Sequence, residues 1–233
     1  MYNLPQKLVA EFLGTFTLVF IGVGSVCADQ YLRATGQASI GLLGIAAAYG
    51  LAFAVMFTAM SHISGGHFNP AVTIGFWVTR RLGTIQSISY WIAQLLGATA
   101  AAYVVKGIIP DTVWQPAGLG VLVLAADFTR AHGMLLEGLG AFLLVLVFFA
   151  TTVDARGAVN KAPGFAIGLT VTIAVLFIGP FTGAALNPAR AFGPALATSR
   201  WANHGVYWVG PLFGGLIAGF LYDRIFLRDQ LPA

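Results

Sequence analysis

Two identical tripeptides, Asn69-Pro70-Ala71 and Asn187-Pro188-Ala189, carry the polar side chains best placed to do chemistry in this chain. An asparagine directly before a proline reads as a helix N-cap. Proline at the first helical position loses no hydrogen bond and has its φ already set. The asparagine oxygen accepts from its own helix, which leaves the NH2 group free to donate outward. Arg190 follows the second tripeptide, where the first has Val72. A cation in a helix's first turn opposes the macrodipole, so an arginine kept in one copy and absent from the other points to a functional charge and donor fork. Glu11 and Glu137 lie inside apolar runs and are expected to accept from N–H groups of irregular backbone. A proton relay would need more titratable partners along one path. His62 and His67 have no third ligand near them, so hydrogen bonding within the loop is expected in place of a metal site. Cys27, the single cysteine, reads as a small buried hydrophobe and excludes a disulfide framework. No nucleophile–base pair, phosphate loop or paired catalytic carboxylates can be assembled, so neither an enzyme nor a cofactor is expected.

The elements that must hold these groups are set by the solvent. Of 233 residues, 58% are hydrophobic, 9% are charged, and the mean hydropathy is +0.83. A soluble domain carries about 25% charged residues. The 12 basic residues are scattered and form no patch for nucleic acid, despite a pI near 9.5. The 29 glycines suit closely packed membrane helices. Six runs are long enough to cross a bilayer, at about 8–28, 41–61, 85–107, 133–153, 163–180 and 205–227. The first shows no cleavage site, so no removable leader is expected. Within the last run, Gly210 to Gly214 and Gly215 to Gly219 are small-xxx-small packing signals.

Two apolar pieces, roughly 62–79 and 181–198, fit none of the six runs and contain the tripeptides. Each is expected to be a loop followed by a half-length helix. From Pro70 to Arg80 is about 16 Å of helix at about 1.5 Å per residue, half the hydrocarbon thickness. Pro188 to Arg200 is similar, and each would end on an arginine at the membrane surface. The parts recur in order. Glu11-Phe-Leu-Gly14 is echoed by Glu137-Gly-Leu-Gly140 at an offset of 126, and the tripeptides repeat at an offset of 118. Three spans per half is an odd number, so the second half must insert upside down. A single domain over 1–233 with inverted repeats at about 1–110 and 130–233 is expected.

Irregular backbone at membrane depth is tolerated only inside protein or along a watery cavity. The small residues before each proline, Gly65, Gly66 and His67 in one loop and Gly183, Ala184 and Ala185 in the other, would let carbonyl oxygens face such a passage. Two helix N-termini would then meet at the midplane, each presenting about half a positive charge. A cation is repelled there, and a neutral molecule with an acceptor oxygen is welcomed by both asparagines. With the N-terminus inside, Lys7, Arg80, Arg81, Arg156, Lys161, Arg224 and Arg228 are cytoplasmic. Arg33, Lys106, Arg130, Arg190 and Arg200 lie outside, seven against five, or against four once the intramembrane Arg190 is discounted.

Six spans in inverted repeat, the paired tripeptides, the arginine after the second and Glu-x-x-Gly-Thr/Ala-Phe opening each half resemble the aquaporin (major intrinsic protein) family. His62-Ile-Ser-Gly-Gly-His67-Phe-Asn-Pro-Ala-Val-Thr73 and Leu186-Asn-Pro-Ala-Arg-Ala-Phe-Gly-Pro194 are similar to its two signature loops. The resemblance implies an all-α membrane protein of six transmembrane helices and two re-entrant half-helices. It implies passive conduction of water with protons and ions excluded, and a homotetramer in which every monomer has its own pore; a plasma-membrane location is expected, with both termini cytoplasmic by the charge count. It also implies a constriction built from Tyr49, Val175, Ala184 and Arg190. Strict water channels usually place histidine where Val175 stands, so a wider and less polar ring is expected, with glycerol, ammonia or hydrogen peroxide as further solutes. Ala191, Ala195, Tyr207 and Trp208 are instead similar to the water-conducting subgroup, and Ala184 replaces the cysteine that makes some members mercury-sensitive. A facilitator of another neutral solute is the rival within the family. A secondary transporter would need coupling carboxylates beyond Glu11 and Glu137.

Overall fold

The computed structural model describes residues 2–157 and 162–227, and among these the regular structure is entirely helical. Lys161 and Arg228, two of the charges weighed for orientation, lie outside the described residues. Nine α-helices follow in order: α1 Leu4–Ala34, α2 Gly41–Ser64, α3 Pro70–Val78, α4 Thr84–Ile108, α5 Asp111–Trp114, α6 Arg130–Phe148, α7 Pro163–Thr182, α8 Pro188–Thr198 and α9 Val206–Leu221. Wider π turns carry α6 on to Val153 and α9 on to Phe226. Counted with those turns, six helices are long and apolar enough to cross a membrane.

The spans outrun the apolar stretches where polar residues find local partners. Asn3 caps α1 through a reciprocal pair, its side chain accepting from Gln6 N while Gln6 returns the bond to Asn3 N. At the other end Asp29 pairs with Arg33 at 2.8 Å and accepts from Ser39 Oγ and Gly41 N, which turns the chain into α2. The helix α5 was not expected from the sequence; its single turn is closed by Trp114 Nε1 donating to Asp111 Oδ1 at 2.8 Å.

Glycine decides which helices touch. A Cβ on Gly210 would lie 2.5 Å from Met134 O, and one on Gly214 would lie 2.0 Å from Gly138 O, so this stripe of α9 lies against α6. The next stripe, Gly215 and Gly219, lies equally close to Ala71 and Gly75 of α3. Gly50 of α2 meets Gly168 of α7, Gly97 of α4 meets Phe12 of α1, and Gly193 of α8 meets Ala98 of α4. Without an apolar driving force between helices in lipid, such backbone approach is what dispersion attraction needs. The short helices α3 and α8 are thereby held inside the ring of spans. Large apolar side chains such as Leu43, Val55, Phe177 and Phe213 stay outward and exposed.

The half-helices α3 and α8 have 9 and 11 residues. Arg80 and Arg200 stand just past their ends, as the spacing predicts. The cation that serves the α8 carbonyls is another one: Lys106 Nζ donates to Ala197 O at 2.7 Å and lies over the Trp114 ring.

Candidate functional site

Each half-helix begins from a loop held in the same way. Ser64 and Thr182 end α2 and α7, and Gly65 and Gly183 cap those helices in the left-handed conformation, at φ 96° and 87°. The residue before each asparagine, Phe68 or Leu186, also has positive φ, at 50° and 54°. Side chains rarely adopt that conformation, and three contacts fix it here. Phe68 N donates to Glu11 Oε2 at 2.7 Å, and Leu186 N donates to Glu137 Oε2 at 2.7 Å. The side chains enter notches over Gly14 and Gly140, where a Cβ would come within 2.1 Å of either one. Their carbonyls cross to the other repeat: Asn187 Nδ2 donates to Phe68 O at 2.8 Å, and Asn69 Nδ2 donates to Leu186 O at 2.9 Å. The motif Glu-x-x-Gly therefore grips one residue twice, by its N–H and by its side chain.

The remaining carboxylate capacity goes to the loops as well. Glu11 Oε1 accepts from Ser64 Oγ at 2.6 Å and His67 N at 3.0 Å, and Glu137 Oε1 accepts from Thr182 Oγ1 at 2.6 Å and Ala185 N at 2.9 Å. Tyr90 and Tyr207 brace the same corners, their hydroxyls donating to Ser64 O and Thr182 O. Both glutamates are fully buried. In a low dielectric, donors of this number are what a buried carboxylate requires.

Asn69 Oδ1 accepts from Ala71 N, and Asn187 Oδ1 accepts from Ala189 N and Arg190 N, so both residues cap their helices. The NH2 groups differ from the sequence expectation, because one N–H of each is taken by the opposite loop. That bond costs each amide one donor, leaves the second, and ties the two tips together.

Both asparagines line a narrow cavity with Tyr49, Val175, Ala184 and Arg190, whose remaining walls include Phe53, Leu144 and Val171. Space for water centres in this stretch is about 20 Å³. About 10–15 Å³ of such space holds one water, so this stretch has room for little more than one at a time. Of the loop residues expected along the passage, Ala184 and Ala185 line this stretch, and Gly65, Gly66, His67 and Gly183 lie elsewhere in the loops. Arg190 is buried, lies 4.9 Å from the Tyr49 ring centroid, and donates from Nη1 to Gly120 O at 3.1 Å. Its Nε and the Tyr49 hydroxyl are buried, and neither has a well-formed hydrogen bond among the described residues.

His67 is buried, with Nδ1 3.1 Å from Thr73 Oγ1 and its ring beside Phe76. His62 is not a loop residue; it lies on the exposed face of α2 against Tyr2. Gln94 and Gly120 were missed by the sequence reading. Gln94 Nε2 bridges Glu11 Oε2 and Thr73 Oγ1, and a glutamine in mid-span was the signal for it. Gly120 carries no such mark.

Three comparisons bear on this arrangement. Residues 2–222 match the family model described as Major intrinsic protein. Among curated relatives, Aquaporin TIP4-4 of Zea mays is 44% identical over 226 residues, covering 96% of this chain and 88% of the relative. Aquaporin-4 of Mus musculus is 40% identical, covering 96% and 68%. Among solved structures, one titled as the aquaglyceroporin from Plasmodium falciparum superposes with a TM-score of 0.83, 23% identity and coverage of 98% of this chain and 100% of that one.

Proposed function

This chain belongs to the major intrinsic protein family, with six helices long and apolar enough to cross a membrane, and we infer that it is a passive channel for water. From that premise we propose that it selects at the two joined asparagine tips and at the ring of Tyr49, Val175, Ala184 and Arg190. The observation that carries the reading is the crossed amide bonding, which brings both helix N-termini and both asparagines to one narrow stretch beside a buried arginine. Each N-terminus is about half a positive charge, and Arg190 adds a full one nearby. In a low dielectric these repel a proton or metal cation, and a neutral molecule passes by exchanging hydrogen bonds with the asparagine N–H groups, Arg190 Nε and the Tyr49 hydroxyl. A chain of waters each anchored by its oxygen is also interrupted as a proton wire. The carbonyls of Gly65, Gly66, His67, Gly183, Ala184 and Ala185 serve as acceptors along the way.

With Val175 and Ala184 on two sides, half of the ring is small and apolar. Small neutral solutes such as glycerol, ammonia or hydrogen peroxide are the further cargo this admits. Stopped-flow light scattering on proteoliposomes tests the assignment. Val175→His adds bulk and a polar ring, so uptake of glycerol should fall more than osmotic water flux. An unchanged ratio removes Val175 from the constriction.

The functional unit in this reading is the single domain of inverted repeats over 1–110 and 130–233, assembled as a homotetramer in which each monomer keeps its own passage. The arginine and lysine count supports an orientation with both termini cytoplasmic, and the plasma membrane is the location this reading assigns. Tagging either terminus and testing its accessibility in intact cells decides that orientation.

A further inference from the structure

The Tyr49 ring owes its position to a residue that touches neither the passage nor either loop. Gly22 lies mid-way along α1, in ordinary helical conformation, where glycine is less favourable than alanine. Its backbone has no need of glycine; its surroundings do. A Cβ at Gly22 would fall 1.9 Å from Tyr49 Cε1, 2.3 Å from Cζ and 2.4 Å from Cδ1. Two residues along the same helix, a Cβ at Gly24 would meet nothing within 4 Å.

Something must move if Gly22 gains a side chain, and the packing says what. The α2 backbone beside Tyr49 is locked against α7, since a Cβ on Gly50 would lie 2.4 Å from Gly168 O and one on Gly168 would lie 2.4 Å from Gly50 O. Helix α1 is fixed by Glu11 and Gly14, which hold the first loop, and by Gly97 pressing on Phe12 O. The ring is the soft partner. Pushed off α1, it swings toward the cavity it lines with Val175, Ala184 and Arg190. We propose that Gly22 is a specificity-determining position: its bare backbone is the recess into which the Tyr49 ring retracts, and it thereby sets the width of the constriction. This rests on the four-residue ring being the narrow point, as proposed above.

The test is a set of purified variants in proteoliposomes, read as osmotic water permeability and glycerol uptake, with folding followed by monodispersity and thermal stability. Gly22→Ala should cut water permeability by roughly threefold or more as the ring closes a single-file path. Gly24→Ala should leave it unchanged. Tyr49→Ala should raise glycerol uptake, and adding Gly22→Ala to it should change nothing further, because the ring that Gly22 accommodates is gone. If Tyr49→Ala leaves glycerol uptake alone, the ring is not the constriction and the functional reading fails. If Tyr49→Ala opens the channel but Gly22→Ala leaves water flux at the parent level, or lowers it equally in both backgrounds, the inference about Gly22 fails and the reading stands. Should Gly22→Ala alone fail to fold, a double variant that folds and behaves as Tyr49→Ala supports the recess. A double variant that misfolds as well assigns Gly22 to helix packing and overturns it.

Discussion

Phe68 and Leu186 concentrate the residue-scale logic. Each gives its N–H to a buried glutamate, its side chain to a glycine notch and its carbonyl to the asparagine of the other repeat. Glu137 makes the cost of disturbing this concrete, because all three of its partners, Thr182 Oγ1, Ala185 N and Leu186 N, donate to it. In Glu137→Gln the side-chain NH2 must face at least one donor, leaving buried groups unpaired at about 1–3 kcal/mol each. The expected outcome is a clear drop in thermal stability of the purified protein, read by intrinsic fluorescence. An unshifted melting point would show that the loop holds its shape without the carboxylate. Of these residues, the sequence shows the asparagines, Arg190 and the glutamates, since a polar group repeated inside an apolar run has few explanations. It does not show that one asparagine N–H is spent across the repeat, because that bond joins positions more than a hundred residues apart. Gly120, whose carbonyl holds Arg190, is one glycine among 29 and carries no local signal.

At the scale of elements, helix ends were legible wherever chemistry marks them. Proline at 70 and 188 starts the half-helices as expected, whereas α2 and α7 run past the expected 61 and 180 to Ser64 and Thr182, where Gly65 and Gly183, expected only as passage-lining backbone, stop them. Hydropathy found the spans but shortened α1, because a capping pair and the Asp29–Arg33 bridge extend a helix without apolar residues. It also assigned the α8 terminus to Arg200 when Lys106 reaches it from α4, a choice made by packing. The glycine notches permit a sharp check. Gly140→Ala would set a Cβ 2.1 Å from Leu186 Cδ2 and 2.8 Å from Ile178 Cδ1, overpacking worth about 1–3 kcal/mol and a displaced second loop. Thermal stability and water permeability should both fall. The same change at Gly107, where nothing lies within 4 Å, should cost neither. Equal behaviour of the two variants would contradict the notch.

A second element-scale prediction concerns the turn after α6. Asp154 accepts from Arg156 N and Nε at 3.0 Å and from the Tyr222 hydroxyl at 3.2 Å, and Arg156 also donates to Phe226 O, which ties this turn to the end of α9. The Arg156 bonds hold the Asp154 carboxyl at about 2, below its usual 3.8. A depressed carboxylate favours the tied form above the released group's value and loses that contribution as the pH falls toward the bound one. Hydrogen exchange at the Arg156 amide should therefore be well protected at neutral pH, with protection declining between about pH 4 and 2. Asp154→Ala, which removes the acceptor, should expose that amide at every pH. Protection that ignores acid would place the tie elsewhere.

For the whole molecule, duplication with inversion is what turns ordinary parts into a selective passage. One half alone offers a capped half-helix and a loop held by a glutamate. Two halves oppose their helix N-termini, and the departures between them then matter most: Val72 against Arg190, and Tyr49 against Val175, which stand 126 residues apart. The repeat, the odd number of spans per half and the special site between the halves can all be argued from spacing. Which residues complete the ring cannot, since α2, α7 and α8 converge only in three dimensions.

The most direct measurement records osmotic water permeability and proton flux together on the purified protein in vesicles loaded with a pH-sensitive dye. The opposed N-termini and Arg190 predict rapid water movement under an osmotic gradient and no proton entry above that of protein-free vesicles under an imposed pH and voltage gradient. Proton entry that rises in step with water permeability as more protein is incorporated would contradict the account at its centre.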